Sequence, residues 1–138
     1  RSPFMAKSIA IVAGSYHREL VEKMLDKAKE IASENNLLVE EVNWVPGSME
    51  VPLQIKRLFL RESIEGAVVL GIIENGETQH GVVMGQAVTK SLIDLQLASM
   101  KPVGFGIIGP GAKPEQIEER LLSYAENAVL ALSEMLSN

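Results

Sequence analysis

The chain predicts an α/β fold: a four-stranded parallel sheet flanked by helices on both faces, a three-layer sandwich. Three observations carry the prediction. Short, β-branched apolar runs alternate with longer stretches of helical periodicity. Each run closes on glycine or on a small polar cluster. The connections are a few residues long, and right-handed crossovers then leave a parallel sheet covered on both sides as the natural solution.

Taken in order, Ile9-Ala10-Ile11-Val12-Ala13 reads as a strand buried on both faces and closed by Gly14-Ser15. Leu20, Val21, Met24, Leu25, Ala28, Ile31 and Ala32 recur at helical spacing until Asn35-Asn36 stops them. Leu37 to Trp44 returns to strand-type residues. Val45-Pro46-Gly47-Ser48 breaks that strand, and Met49 to Leu60 reads as a second helix with Pro52 tolerated in its first turn. Gly66 to Ile73 is the clearest buried strand, running into the polar loop Glu74-Asn75-Gly76-Glu77-Thr78-Gln79-His80. A third helix carries Val82, Val83, Ala87, Val88, Leu92, Leu95 and Leu97. Pro102 to Ile108 forms the fourth strand, closed by Gly109-Pro110-Gly111, and the last helix begins near Pro114 and carries Ile117, Leu121, Ala125, Ala128, Val129 and Leu132.

A length of 138 residues suits one domain, 5–138, with residues 1–4 read as an expression remnant ahead of Met5. Hydrophobic residues at 46% and charged residues at 22% describe a chain that folds and that suits covering some of its surface with copies of itself. The net charge of −5, with no basic run, argues against a nucleic-acid partner. The absence of cysteine removes disulfides, thiolate metal sites and cysteine nucleophiles, and fits a reducing, cytoplasmic setting. Apolar runs such as Ala67 to Ile73 are too short to span a bilayer, and no secretory leader opens the chain, so no membrane association is expected. Neither a dinucleotide fingerprint nor a P-loop is present.

In a parallel sheet ligands bind at the carboxyl ends of the strands. Here those ends deliver Tyr16 and His17, then Ser48 to Glu50, then Asn75 to His80, then Phe105 with Arg120 downstream. Gly76-Glu77-Thr78-Gln79-His80 opens a helix, where free N–H groups and the dipole favour an anion such as phosphate; simple capping by Thr78 is the competing reading. The Glu77 carboxylate must turn away from any such anion. His80, just inside that helix, is placed to pass protons to a ligand held there. His17 reads as a surface residue of the first helical turn. Glu50 follows a rigid turn and is either a ligand or a charge complementing the helix dipole. Tyr16 and Phe105 suit stacking on a flat ring or packing in the core. Arg120 suits a second phosphate contact or an ion pair with Glu118 or Glu119.

Three segments, Val45-Pro46-Gly47-Ser48-Met49-Glu50-Val51-Pro52, Gly76-Glu77-Thr78-Gln79-His80, and Pro102-Val103-Gly104-Phe105-Gly106 followed by Glu115-Gln116 through Arg120, occur in an order and spacing that resemble the 6,7-dimethyl-8-ribityllumazine synthase family. The resemblance runs from Ala6 to the C-terminus. Gly-Glu-Thr in the loop and Ile-Gly-Pro-Gly after the fourth strand look most like its archaeal branch. It implies a flavodoxin-like sandwich and a transferase of riboflavin biosynthesis. That enzyme condenses 5-amino-6-(D-ribitylamino)uracil with 3,4-dihydroxy-2-butanone 4-phosphate, with no metal and no cofactor.

Carried over by position, the resemblance implies that Tyr16 stacks on the pyrimidine and that Ser48, Met49 and Glu50 hold the ribityl chain. It places the backbone of Ile73 and Glu74 at the pyrimidine edge. Gly76, Glu77 and Thr78 form the phosphate loop, and His80 transfers protons. Phe105 and Arg120 come from a neighbouring subunit, so the site belongs to a homopentamer or a multiple of pentamers. Departures from the common bacterial pattern are Gly14-Ser15-Tyr16-His17 for Ser-Arg-Phe-Asn, Glu74 for an apolar residue, Asn75 for arginine, Gly81 for a bulky residue, and Ala128 for a lysine near the phosphate. Loss of two nearby cations implies weaker affinity for the phosphorylated ketone. Two alternatives stand beside this: an archaeal-type riboflavin synthase, and a non-catalytic flavin-binding oligomer.

Overall fold

Apolar strand residues on both sides of one backbone need cover on both sides, and the computed structural model, which describes residues 5–73, 80–109 and 113–138, supplies it. The strands β1 (Lys7–Gly14), β2 (Leu37–Val45), β3 (Gly66–Ile72) and β4 (Val103–Ile108) form one sheet in the order β2-β1-β3-β4. All pairings are parallel. The helices are α1 (Arg18–Glu34), α2 (Val51–Phe59), α3 (His80–Ser99) and α4 (Pro114–Leu136).

Side chains alternate across the sheet as the pleat requires. Ile9, Ile11, Ala13, Val68, Leu70, Ile72 and Ile108 pack with α1 and α4. Ala10, Val12, Ala67, Val69 and Val103 pack with α2 and α3 on the other face. Every residue of β3 is buried. The chain steps from β1 outward to β2, then back across β1 to β3 and on to β4. Right-handed crossovers therefore put α2 and α3 opposite α1. The strand order reverses beside β1, and the open crevice of such a sheet lies outside the strand ends at that reversal.

Several boundaries differ from the hydropathy reading for local reasons. β1 begins earlier than its apolar run because Lys7 and Ser8 pair with Leu37 and Leu38. The expected helix from Met49 divides: Ser48–Glu50 form a single 3-10 turn, and α2 starts at Val51 with Pro52 in its first turn, where its missing N–H costs nothing.

β4 and α4 approach each other closely at two glycines. A Cβ placed on Gly104 would sit 2.2 Å from the carbonyl oxygen of Ala128, and one on Gly106 would meet the Val69 carbonyl oxygen at 2.9 Å and Leu70 Cδ2 at 2.8 Å. Glycine is what lets the helix backbone settle onto the strand. Ala128 is 3% exposed in this contact. The expectation that position 128 faces the phosphate is thereby corrected. Its side chain points into the core, and having alanine there strips no cation from a ligand site.

Lys101, between α3 and β4, donates to the carbonyls of Phe59 at 3.0 Å and Arg61 at 2.9 Å. It thereby satisfies backbone acceptors that the end of α2 leaves over. Lys101→Met keeps the stem and removes the charge. It is expected to cost about 1–2 kcal/mol, read as a lower urea midpoint with unchanged slope.

Of the twenty residues of α3, Gly81, Val88 and Leu92 are buried, while Val83, Ile93 and Leu97 are exposed by 60%, 44% and 71%. These exposed apolar side chains stand among exposed polar ones such as Lys90 and Asp94, and they suit further cover. No helix among the described residues is long and apolar enough to cross a membrane.

Candidate active site at the carboxyl ends of the strands

The chain segments that follow β1, β2 and β3 meet around one cleft of about 540 Å³. Its lining includes Tyr16, Ser48, Met49, Glu50, Ile73 and His80. These come from four separate stretches of sequence.

Each stretch is held by a local feature. The Ser15 amide donates to the Val45 carbonyl at 2.8 Å and the Ser15 hydroxyl reaches the same oxygen at 3.0 Å, which locks the residue before Tyr16 onto the end of β2. The Glu50 amide donates to the Gly47 carbonyl at 3.2 Å and closes the turn that follows β2. Within that turn Ser48 is buried, the one buried polar side chain among the described residues, while Met49 and Glu50 stay exposed. Ile73 is nearly buried, and its amide donates to the Ile108 carbonyl at 2.9 Å. That bond leaves the Ile73 carbonyl as the backbone group it can offer a ligand. His80, the first residue of α3, is exposed at the cleft wall.

Two of the residues singled out by sequence lie elsewhere. Phe105 lines a neighbouring cleft of about 520 Å³ between α3 and β4, with Val82, Val88, Ile93 and Ile107; Ile73 borders both clefts. Arg120, on α4, lines neither cleft and makes no ion pair among the described residues, so the expected partnership with Glu118 or Glu119 is not formed. Glu118 instead approaches Lys23 at 4.0 Å. Glu74, Gly76, Glu77 and Thr78, together with Asn75, fall outside the described residues.

His17 differs from its expected place in the first turn of α1. It is the residue before the helix, partly buried, with a left-handed backbone at φ 57° and ψ 46°. The cleft also contains Pro46, Gly81 and Met84, which sequence reasoning left out of the site. Met84 had a usable signal, because it stands four residues after His80 and therefore on the same helical face. Among the described residues no group of three or more His, Asp or Glu side chains is placed to hold a metal ion.

A family-wide sequence profile described as 6,7-dimethyl-8-ribityllumazine synthase matches residues 6–138. The chain belongs to the 6,7-dimethyl-8-ribityllumazine synthase family. Relatives bearing that name include a Metallosphaera sedula protein, 40% identical over 121 residues, covering 88% of this chain and 80% of the relative. One from Staphylothermus marinus is 36% identical over 129 residues, covering 94% and 86%. One from Saccharolobus islandicus is 37% identical over 123 residues, covering 89% and 80%. The match to the lumazine synthase family spans every strand and helix described above, including all the segments that build the cleft.

Proposed function

We propose that this chain is a 6,7-dimethyl-8-ribityllumazine synthase. It joins 5-amino-6-(D-ribitylamino)uracil to 3,4-dihydroxy-2-butanone 4-phosphate and releases phosphate and water. The observation that carries the reading is the meeting of Tyr16, Ser48, Met49, Glu50, Ile73 and His80 around one cleft in a chain of this family.

In this reading Tyr16 stacks on the pyrimidine, the turn Ser48 to Glu50 binds the ribityl hydroxyls, and the backbone at Ile73 and Glu74 meets the pyrimidine edge. Gly76, Glu77 and Thr78, which precede α3 in the sequence, hold the phosphate, as amides and dipole before a helix favour an anion. The uracil's amine attacks the ketone and loses water to give an imine. Proton loss from the adjacent carbon then expels phosphate and leaves an enol. The enol tautomerises to a ketone, which the ribitylamino nitrogen attacks to close the second ring with loss of the second water. His80 moves the protons. Holding two soluble reactants side by side supplies the larger share of the acceleration, because it removes their translational and rotational freedom before reaction.

Phe105 and Arg120 complete the pocket from a neighbouring copy, and the working unit is a homopentamer or a multiple of it. The support for this is that neither residue lines the His80 cleft of its own chain, while the adjoining β4–α3 cleft is largely apolar and α3 exposes Val83, Ile93 and Leu97. Arg120→Ala is expected to raise KM for the phosphorylated ketone about tenfold and to leave KM for the uracil nearly unchanged, as loss of a charged hydrogen-bond donor to phosphate would. Steady-state kinetics with each substrate varied in turn will separate the two constants.

The deciding experiment mixes both substrates with the purified chain and follows lumazine absorbance and fluorescence alongside phosphate release. Lumazine and phosphate appearing together support the reading; phosphate-free or absent product overturns it. The riboflavin synthase alternative is not favoured, since the matching profile and the named relatives are lumazine synthases. Riboflavin formed from lumazine alone would revive it.

A further inference from the structure

We infer that His17 is a positioning residue whose ring buttresses Tyr16 and fixes the plane on which the flat substrate lies. The inference rests on the reading that Tyr16 stacks on the heterocycle.

Three non-glycine residues among those described have positive φ: His17, Asn36 and Met100. Asn36 and Met100 each follow the end of a long helix, α1 and α3, where a left-handed residue is a common way to stop. His17 precedes a helix. A residue in that place ordinarily has extended backbone and caps the helix with its side chain. His17 does neither: its backbone is left-handed and its side chain makes no capping bond. Helix geometry therefore does not account for the strain, and such strain persists where surrounding contacts impose it, commonly beside a functional site.

What the conformation does achieve is a ring contact. The His17 and Tyr16 rings lie with centroids 4.4 Å apart at an interplanar angle of 57°, a tilted aromatic pair. Tyr16 lines the cleft while remaining 50% exposed; His17 does not line it. Tyr16 is half exposed, and the contact with the His17 ring restricts how it can turn.

Both ends of the kink are anchored. Ser15 is bonded to Val45 before it, and after it the Arg18 guanidinium lies 4.1 Å from the centroid of Trp44 and 3.2 Å from a Glu22 oxygen. The His17 carbonyl meanwhile accepts from the amides of Leu20 at 2.9 Å and Val21 at 3.1 Å, so α1 starts normally while the histidine ring turns back toward Tyr16.

The test is a double-mutant cycle in the full chain, with His17→Gly, Tyr16→Leu and the pair. Glycine suits a left-handed backbone, so His17→Gly removes the ring without disturbing the fold. The probe is 6,7-dimethyl-8-ribityllumazine itself, titrated by its fluorescence, with turnover measured separately. In His17→Gly, Kd for the lumazine and KM for the uracil are expected to rise about threefold to tenfold, the scale of one aromatic pair. The melting temperature should stay near that of the unsubstituted chain and kcat should change little. In the Tyr16→Leu background the same change should add nothing. Unchanged Kd in His17→Gly, or an equal effect with and without Tyr16, overturns the inference. A chain that binds lumazine but forms none refutes the proposed reaction while leaving the cycle readable, and one that binds none refutes both.

Discussion

His80→Ala is expected to lower kcat for lumazine formation by about a hundredfold to ten-thousandfold, with activity reduced but still measurable. Two effects set the size of the loss. A positioned proton donor and acceptor is worth that range, whereas bringing two reactants together in register is worth about 7–11 kcal/mol. Removing the histidine leaves the second effect in place, because the cleft walls from Tyr16, the Ser48–Glu50 turn and Ile73 come from other segments. KM for both substrates should then stay within about threefold, the signature of a group that acts mainly on the transition state. Complete loss of turnover in a folded variant would show that proton transfer, and not placement, carries most of the rate.

Gly104→Ala is expected to destabilise the fold by about 2–3 kcal/mol, the upper part of the range for overpacking, and to lower Tm by roughly 10 °C. The new methyl would lie 2.2 Å from the Ala128 carbonyl oxygen and 2.9 Å from its carbon. Those are backbone atoms in the middle of α4, so relief requires moving the helix and not turning a side chain. Gly106→Ala should cost less, since one of its close neighbours, Leu70 Cδ2, is the tip of a flexible side chain. Thermal unfolding of both variants checks the order; a Gly104→Ala chain melting with its parent would mean that α4 does not approach β4 so closely.

β3 was legible because both faces of the sheet are covered there, so Gly66 to Ile72 appears as an uninterrupted apolar run, whereas the edge strand β2 is interrupted by Glu40, Glu41 and Asn43. Helix identity followed from periodicity, and a parallel sheet covered on both faces followed from crossover handedness, whereas the strand order β2-β1-β3-β4 was not read from the sequence. What escaped was set by single contacts that no pattern encodes. The left-handed backbone of His17 goes with a ring contact to Tyr16, and the 3-10 turn at Ser48–Glu50 is closed by hydrogen bonds from the Glu50 amide to the Gly47 carbonyl and from the Val51 amide to the Ser48 carbonyl. Ala128 looked like one more member of an apolar stripe, or like a substituted lysine near phosphate; its burial in the core and its Cβ lying against Gly106 show which way it points. In the site, residues on three strand ends were recognisable from their place after a buried run. Met84 was overlooked although it lies one helical turn after His80, because a single apolar residue on a helix also reads as core.

The clasp of Gly104 and Gly106 on α4 bears on the residue between them. Alternation along β4 turns Phe105 to the opposite face, beside α3. With Gly104 pressed on the α4 backbone and Gly106 on β3 and the Ala128 side chain, that strand has little room to shift, so the phenylalanine is offered on a firm platform. Whatever seats itself there meets a shape fixed in advance and forfeits little disorder in doing so, which favours tight and selective fit over adaptable recognition.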